Sequence, residues 1–326
     1  MRDIRIHNFI MRSWILAFLA LLLIFPNIAG ASKVSPIYLS ISGTDHGQRH
    51  KPKHESEHRP TPIRKYRLVA QDLSHDTKAY VVHPDGSLKE LPIRHDKTKD
   101  TVAFKTPFGE GPMHGIHNTY VVDKKVDDGE LIIRVAKWMT IHHNCGWGHE
   151  HKYNESRLSS KVLDRIPFEI VAEGLWDGNF HSTVRSGDML TVKTVKYGKP
   201  LKGSKVRITT SKGWTKEVIT NDIGEAQFQL IRDYYPEKWI DFNSRQVSSF
   251  NVTAEYIADE SGEYAGEKYN RIKMVTSLPW RHYPSRTDYS SYSYGLLIAT
   301  LSLVITGAGV FIYRERRKKP FREVSF

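Results

Sequence analysis

Cysteine is almost missing from this chain of 326 residues, since Cys145 is the only one. A single thiol excludes an intramolecular disulfide, so the fold must be stable without one. Two catalytic signatures are also missing, the G-x-S-x-G elbow of hydrolases and the glycine-rich loop that binds phosphates. About half of the formal net charge of +12 lies in the two ends, and the modest positive charge of the rest does not indicate a nucleic-acid partner. The sequence therefore predicts a protein that is neither an enzyme nor a binder of nucleic acid.

Long apolar runs are few, and both of them lie near the ends of the chain. Near the N-terminus, arginines precede an apolar run over 14–26 and small residues at 29–31, which predicts a secretory signal peptide over 1–31. Near the C-terminus, residues 294–313 carry no charge and are long enough for a transmembrane helix. The basic tail at 314–326 predicts a cytoplasmic C-terminus. We therefore expect a single-pass protein of the cell inner (plasma) membrane, with its N-terminal bulk periplasmic or extracellular.

Histidine, by contrast, is abundant, and thirteen of the sixteen histidines lie between His46 and His151. Imidazole is the commonest protein ligand for transition metals, and clustered histidines bind one ion more tightly than scattered ones. This concentration of histidine therefore predicts a metal-binding function outside the cytoplasm.

Residues 32–62 are polar and rich in histidine, and they have too few apolar side chains to form a core. We predict a flexible arm there. Four of its histidines are spaced by four residues and form a candidate site for secondary metal collection: His46, His50, His54 and His58. The alternative is a solvated linker that has no role in binding.

Short runs of β-branched and aromatic residues, separated by turn signals, predict an all-β fold. We predict a first small β-sandwich module over 63–160, in which the longest strand covers 131–141 and a Pro-Asp-Gly turn follows His83. A second module over 161–280 has the size of an immunoglobulin-like (Ig-like) sandwich. The predicted order is thus two β-sandwich modules followed by the C-terminal transmembrane helix.

The second module contains three characteristic strings: Gly187-Asp188-Met189-Leu190-Thr191-Val192, Tyr197-Gly198-Lys199-Pro200 and Thr220-Asn221-Asp222-Ile223-Gly224. They resemble exported Ig-like or transthyretin-like modules of a bacterial family of unknown function. Members of that family are often described as periplasmic components of cobalt or nickel transport systems. The resemblance covers residues 166–230 well and 64–276 loosely. It implies an Ig-like fold, a nickel or cobalt ion, and a membrane transporter component as the partner.

The strongest candidate site directly follows the strand predicted at 131–141. Five nitrogen or sulfur donors occur there within ten residues: His142, His143, Cys145, His149 and His151. Glycines among them let the backbone fold back, so we expect a loop whose early and late histidines bind one ion. A thiolate with imidazoles suits copper, zinc, nickel or cobalt. The alternative is an exposed loop that binds nothing specific.

A second pair of histidines, His114 and His117, is predicted in a loop that leads to a strand. Both loops border strands of the first module, so the fold allows the two groups of histidines to form one site. Four other histidines are isolated in the sequence, and we expect them at the surface or in turns: His75, His83, His95 and His282.

Together these patterns predict a membrane-anchored extracytoplasmic protein that binds a transition-metal ion and serves metal uptake or delivery. The resemblance implies nickel or cobalt, whereas the ligand types leave copper and zinc open. The alternative is an anchored Ig-like interaction module that binds a protein or glycan partner without metal. Metal-dependent stability separates the two hypotheses, because a module of the second kind is indifferent to a chelator.

Overall fold

The fold is built mostly of β-strands, which confirms the predicted class. The computed structural model describes residues 34–41, 63–96, 99–106, 115–142, 157–159, 161–173, 175, 183–233 and 246–318. Within these ranges, eighteen strands precede one C-terminal helix. The predicted signal peptide at 1–31 lies outside the described residues.

Eight strands precede residue 143 and ten follow it. The first eight are β1 Tyr38–Ile41, β2 Ile63–Val69, β3 Lys78–Val82, β4 Leu88–Leu91, β5 Arg94–Asp96, β6 Lys99–Lys105, β7 Gly115–Asp127 and β8 Glu130–His142. The others are β9 Glu169–Glu173, β10 Met189–Lys196, β11 Lys199–Pro200, β12 Lys205–Thr210, β13 Thr215–Ile219, β14 Glu225–Gln229, β15 Ser248–Ala258, β16 Gly262–Tyr264, β17 Glu267–Tyr269 and β18 Arg271–His282. Helix α1 spans Arg286–Arg317.

One eight-stranded sheet holds the two halves of the chain together, in the order β13-β12-β15-β18-β8-β7-β3-β4. Its neighbouring strands are antiparallel except β18 and β8, which pair in parallel from Arg271↔Glu130 to Ser277↔Ala136. Strand β8 belongs to the first predicted module and β18 to the second. The sheet is therefore continuous across the boundary predicted between residues 160 and 161.

Two smaller sheets pack against the eight-stranded sheet, one formed by β9, β10, β11 and β14 and the other by β1, β2, β6 and β5. Successive side chains of a strand point to opposite faces. On β8, Ile133 and Val135 accordingly join a large core with Phe228, whereas Ala136 joins a smaller core with Leu39. Each large apolar side chain removed from water contributes about 1.5–3 kcal/mol to stability. Both faces of β8 are therefore buried.

Strand β1 lies within the range predicted as a flexible arm, 32–62, and the structure differs from the prediction there. Tyr38–Ile41 pairs with β2, and Ile37 and Leu39 are each 1% exposed in the smaller core. The hydroxyl of Ser277 on β18 also donates to the carbonyl oxygen of Ile37, at 2.5 Å. The reason is the short alternation of Ile37, Leu39 and Ile41, which gives this segment one apolar face.

A buried ion pair connects β8 to β9. The Nζ atom of Lys137 lies 2.7 Å from Oε2 of Glu169, and neither side chain is exposed to solvent. Nζ also donates to the carbonyl oxygen of Ile170 at 2.9 Å, and the hydroxyl of Tyr120 donates to Oε2 of Glu169 at 2.8 Å. Burial, reinforced by the Glu169 carboxylate, raises the pKa of Tyr120 well above its ordinary value, so the phenol remains a donor. These contacts satisfy two charges that are costly to bury.

Helix α1 contains one stretch, Ser293–Arg317, that is long and apolar enough to cross a membrane. It includes the span predicted at 294–313, and three basic residues occupy its last turn: Arg314, Arg316 and Arg317. Its length and composition fit a single-pass anchor.

Candidate functional site

The pairing of β7 with β8 brings two of the predicted ligands, His117 and His142, onto one face of the sheet. In this antiparallel pair Gly115 is opposite His142 and His117 is opposite Thr140, so the two histidines are diagonal neighbours. Both point toward the smaller core, where His117 is 0% and His142 is 5% exposed. The sequence predicts both in loops, and this is wrong: His117 is the third residue of β7 and His142 ends β8.

A third histidine, His83, completes a cluster that the sequence does not predict. It lies in the turn between β3 and β4, and it contacts His117 because Val82 of β3 is paired with Asn118 of β7. The Nδ1 atoms of His83 and His117 are 2.9 Å apart. The ring centroids are 5.1 Å apart for His83 and His117, and 6.1 Å for His117 and His142. His83 is in a turn, as expected, but it is 7% exposed rather than at the surface.

The surroundings of this histidine cluster (His83, His117 and His142) are apolar in part and shielded from solvent. Phe104 packs with its ring centroid 5.2 Å from that of His117 and 6.0 Å from that of His83. Burial lowers the pKa of His83, although the carboxylate of Asp85 opposes the effect. The contact between the two Nδ1 atoms needs one N–H donor and one lone pair, so it fits neutral imidazoles in different tautomers. Neutral imidazole is also the form that binds metal ions.

The cluster fits a metal ion in part. Two imidazole nitrogens that share a tetrahedral ion, with bonds of about 2.0–2.1 Å, are about 3.3 Å apart. The separation of 2.9 Å between Nδ1 of His83 and Nδ1 of His117 is close to that value, although both lone pairs would have to turn toward the ion. Among the described residues, however, no group of three or more His, Cys, Asp or Glu side chains is arranged to hold an ion. A complete site needs at least one further ligand.

The other predicted ligands lie outside the described residues: His46, His50, His54, His58, His114, His143, Cys145, His149 and His151. Two segments that contain predicted ligands join the fold beside the cluster, because 107–114 precedes Gly115, 143–151 follows His142, and Gly115 pairs with His142. The arm also reads His54-Glu55-Ser56-Glu57-His58, the spacing of zinc-protease helices. Proline lies two residues before and two residues after this string, which does not favour a helix.

The remaining isolated histidines divide into two groups. His75 and His95 are exposed, as the sequence predicts, and Nδ1 of His95 lies 2.9 Å from Oδ1 of Asp100. His282, at the end of β18, is 0% exposed, so its predicted place at the surface is wrong. Its ring packs 5.8 Å from that of Phe250, and its Nε2 lies 3.7 Å from Oδ1 of Asp233. A lone histidine beside an arginine does not mark the end of a buried strand, so the sequence does not predict the burial of His282.

Acid is expected to destabilise the fold through His282. Burial lowers the pKa of His282, with Asp233 opposing, so the folded protein holds this proton less tightly than the unfolded chain, whose histidines titrate near about 6.5. Neutral His282 makes its full contribution to stability above a pH of about 6.5, and this contribution is lost as the pH falls through the pKa of His282 in the folded protein. Guanidinium denaturation at several pH values between 7 and 5 gives the free energy of unfolding as a function of pH. The slope of this free energy against pH should be lower in His282→Gln than in the wild type, by at most about 1.4 kcal/mol per pH unit. The exposed control His75→Gln should keep the wild-type slope, and equal slopes in all three proteins would contradict this assignment.

No protein-family model and no curated protein matches the sequence. Two solved structures have some similarity. A DUF4785 family protein from Legionella pneumophila is 11% identical with a TM-score of 0.21, covering 68% of this chain and 52% of that one. A tetra-tandem repeat from the extending region of a large adhesion protein is 10% identical with a TM-score of 0.18, covering 77% and 49%. The chain thus spans about half the length of each structure, and at these TM-scores neither likeness supports an inference about its fold or function.

Proposed function

We propose that this protein is a membrane-anchored, extracytoplasmic binder of a transition-metal ion that serves metal uptake or delivery. One observation carries the proposal: three buried histidines, His83, His117 and His142, meet where two segments with further predicted ligands join the fold. Neutral imidazole is the form that binds metal ions, and burial lowers the pKa of His83. The ion is held by this cluster together with donors from the adjoining segments.

The proposed ligands restrict the choice of ion. Imidazole suits nickel, cobalt, copper and zinc, and the thiolate of Cys145 favours the softer ions of this group. The resemblance of the 187–224 strings to cobalt- and nickel-linked modules supports nickel or cobalt, with a membrane transporter component as the partner. In this proposal α1 crosses the inner (plasma) membrane with its basic end in the cytoplasm, so the site faces the other side.

Titration of the full chain in detergent micelles with Ni(II), Co(II), Zn(II), Cu(II) and Cu(I) tests the proposal. We expect one tightly bound equivalent. His117→Phe keeps an aromatic ring beside Phe104 but removes the central ligand, and it should weaken binding about 100-fold or more, since even the loss of an outer-sphere partner costs 10–100-fold. Calorimetry with metal analysis of the dialysed protein gives both affinity and stoichiometry.

The matched control is the double variant His75→Phe with His95→Phe, which removes two exposed histidines from the same half of the chain. Its affinity should equal that of the wild type. Weak binding at many sites, unchanged by His117→Phe, would refute the proposal and favour the anchored interaction module that needs no metal.

A further inference from the structure

A cleft opens on the other side of β8 from β7, where β8 and β18 separate. Their parallel ladder ends at Ala136 and Ser277, and beyond it the two strands diverge toward His142 and His282. The cavity between them has a volume of about 680 Å³ and is also lined by residues of β1 and β2 and by the segment at 183–184. This volume is typical of sites for small ligands.

The charged residues that line the cleft are all basic. Arg64, Lys65 and Arg281 line it, and among the described residues of its lining there is no aspartate or glutamate. The Nε atom of Arg64 is inaccessible to solvent, yet it has no hydrogen-bond partner among the described residues. A buried donor without an acceptor is costly, so a turn of this side chain toward an acceptor in the cleft would be favourable. A planar guanidinium matches the oxygens of a phosphate or carboxylate. The lining therefore selects an anionic ligand.

Aromatic side chains form much of the remaining wall, contributed by Tyr66, Trp138, Trp280 and Tyr283. The rings of Tyr66 and Trp138 are 5.7 Å apart at their centroids, and the hydroxyl of Tyr66 is hydrogen-bonded to Thr140. Tryptophan and tyrosine have a large apolar body with one polar atom, which is why they concentrate at the interface of a bilayer with water. Cations and such rings together suit a phospholipid headgroup with the start of its chains.

The cleft is also tied to the start of the membrane helix. The backbone amide of Tyr283 donates to the carbonyl oxygen of Val184 at 2.9 Å, and that of Ser285 donates to the hydroxyl of Ser186 at 3.2 Å. Helix α1 begins at the next residue, and its apolar stretch begins at Ser293. Eight residues of helix are about 12 Å long. The headgroup layer on each side of a bilayer is about 5–8 Å thick, so the chain holds this wall of the cleft within about one headgroup layer of the lipid surface.

We propose that this cleft binds the headgroup of an anionic phospholipid from the leaflet where α1 enters the membrane. Arg64 and Arg281 pair with the phosphate, and the aromatic wall contacts the glycerol and the first methylene groups. The bound lipid orients the β-domain on the membrane surface. This role is independent of any metal ion.

The test uses the full chain in dodecyl maltoside micelles, with dihexanoyl phosphatidylglycerol and dihexanoyl phosphatidylcholine as probes. They share acyl chains and differ in net charge. Native mass spectrometry should show at least tenfold tighter binding of the phosphatidylglycerol probe. The double variant Arg64→Gln with Arg281→Gln should lose this preference, whereas the matched control Lys212→Gln with Lys216→Gln, which removes two exposed cations elsewhere, should keep it.

Three outcomes would overturn the proposal. Equal affinity for both probes would exclude a headgroup site, and an equal loss in the lysine control would reduce the preference to net charge alone. Tighter binding of glycerol phosphate or polygalacturonate than of phosphatidylglycerol would indicate a soluble anion instead. If the double variant does not fold, Arg281→Gln alone changes an exposed side chain, and its preference should fall several-fold.

Discussion

Replacement of Lys137 by methionine is expected to lower the free energy of unfolding by about 3–5 kcal/mol, because it leaves the carboxylate of Glu169 buried without its cation. Domains of this kind are stable by about 5–15 kcal/mol in total, so the loss is a large fraction. The double variant Lys137→Met with Glu169→Leu removes both charges and should recover at least half of the loss. Guanidinium denaturation of the full chain in micelles, followed by circular dichroism, measures all three proteins.

The control is an ion pair with the same distance but a different environment. Nζ of Lys193 lies 2.7 Å from Oε1 of Glu173, and these side chains are 28% and 48% exposed. Lys193→Met should cost at most about 1 kcal/mol, because water screens an exposed pair. Equal losses in Lys137→Met and Lys193→Met would contradict the argument that burial sets the cost.

Gly115→Ala is expected to have the second largest effect, about 2–5 kcal/mol of stability, and to weaken metal binding as well. Gly115 has a φ of +145°, and a Cβ there would lie 2.6 Å from the carbonyl oxygen of Arg157 and 2.8 Å from Cβ of Pro84. Overpacking costs about 1–3 kcal/mol and an unfavourable φ about 1–2 kcal/mol. Since Pro84 follows His83, relief of the clash moves the turn that holds one histidine of the cluster.

Gly86→Ala separates the cost of steric overlap from the cost of an unfavourable φ. Gly86 lies in the same turn with a φ of +88°, but a Cβ there would have no atom within 4 Å. Its cost should be the backbone term of about 1–2 kcal/mol, with metal affinity unchanged. The difference between Gly115→Ala and Gly86→Ala, in denaturation and in calorimetric titration, gives the effect of the steric overlap at residue 115 on stability and on metal affinity. A Gly115→Ala protein that matches Gly86→Ala in both measurements would show that the cluster tolerates a shift of Pro84.

Local patterns were sufficient to predict several elements of the fold. The strand expected at 131–141 is β8, and the Pro-Asp-Gly turn after His83 joins β3 to β4. The C-terminal helix, long and apolar enough to cross a membrane, follows from length and composition alone. Each of these signals lies within one short stretch of sequence.

The rest depends on contacts between distant residues. Strand β7 begins at Gly115, and its first nine residues are all buried, so the alternation that marks a half-exposed strand is missing. His117 and Asn118 therefore resemble a polar loop. The meeting of His83 with His117 is set by the register of β3 on β7, which no local pattern specifies. The identity of a metal, the transporter and the ligands at 143–151 stay predictions.

The place of β18 in the sheet sets the order in which the protein is completed. This strand is the last to be synthesised, yet it lies between β15 and β8. Until it is in place, both neighbours have unpaired edges, which are templates for aggregation. Three residues separate β18 from α1, so the strand that closes the sheet is joined almost directly to the helix that is long and apolar enough to cross a membrane. A chain that stops before residue 271 therefore lacks the strand that joins the two halves of the central sheet.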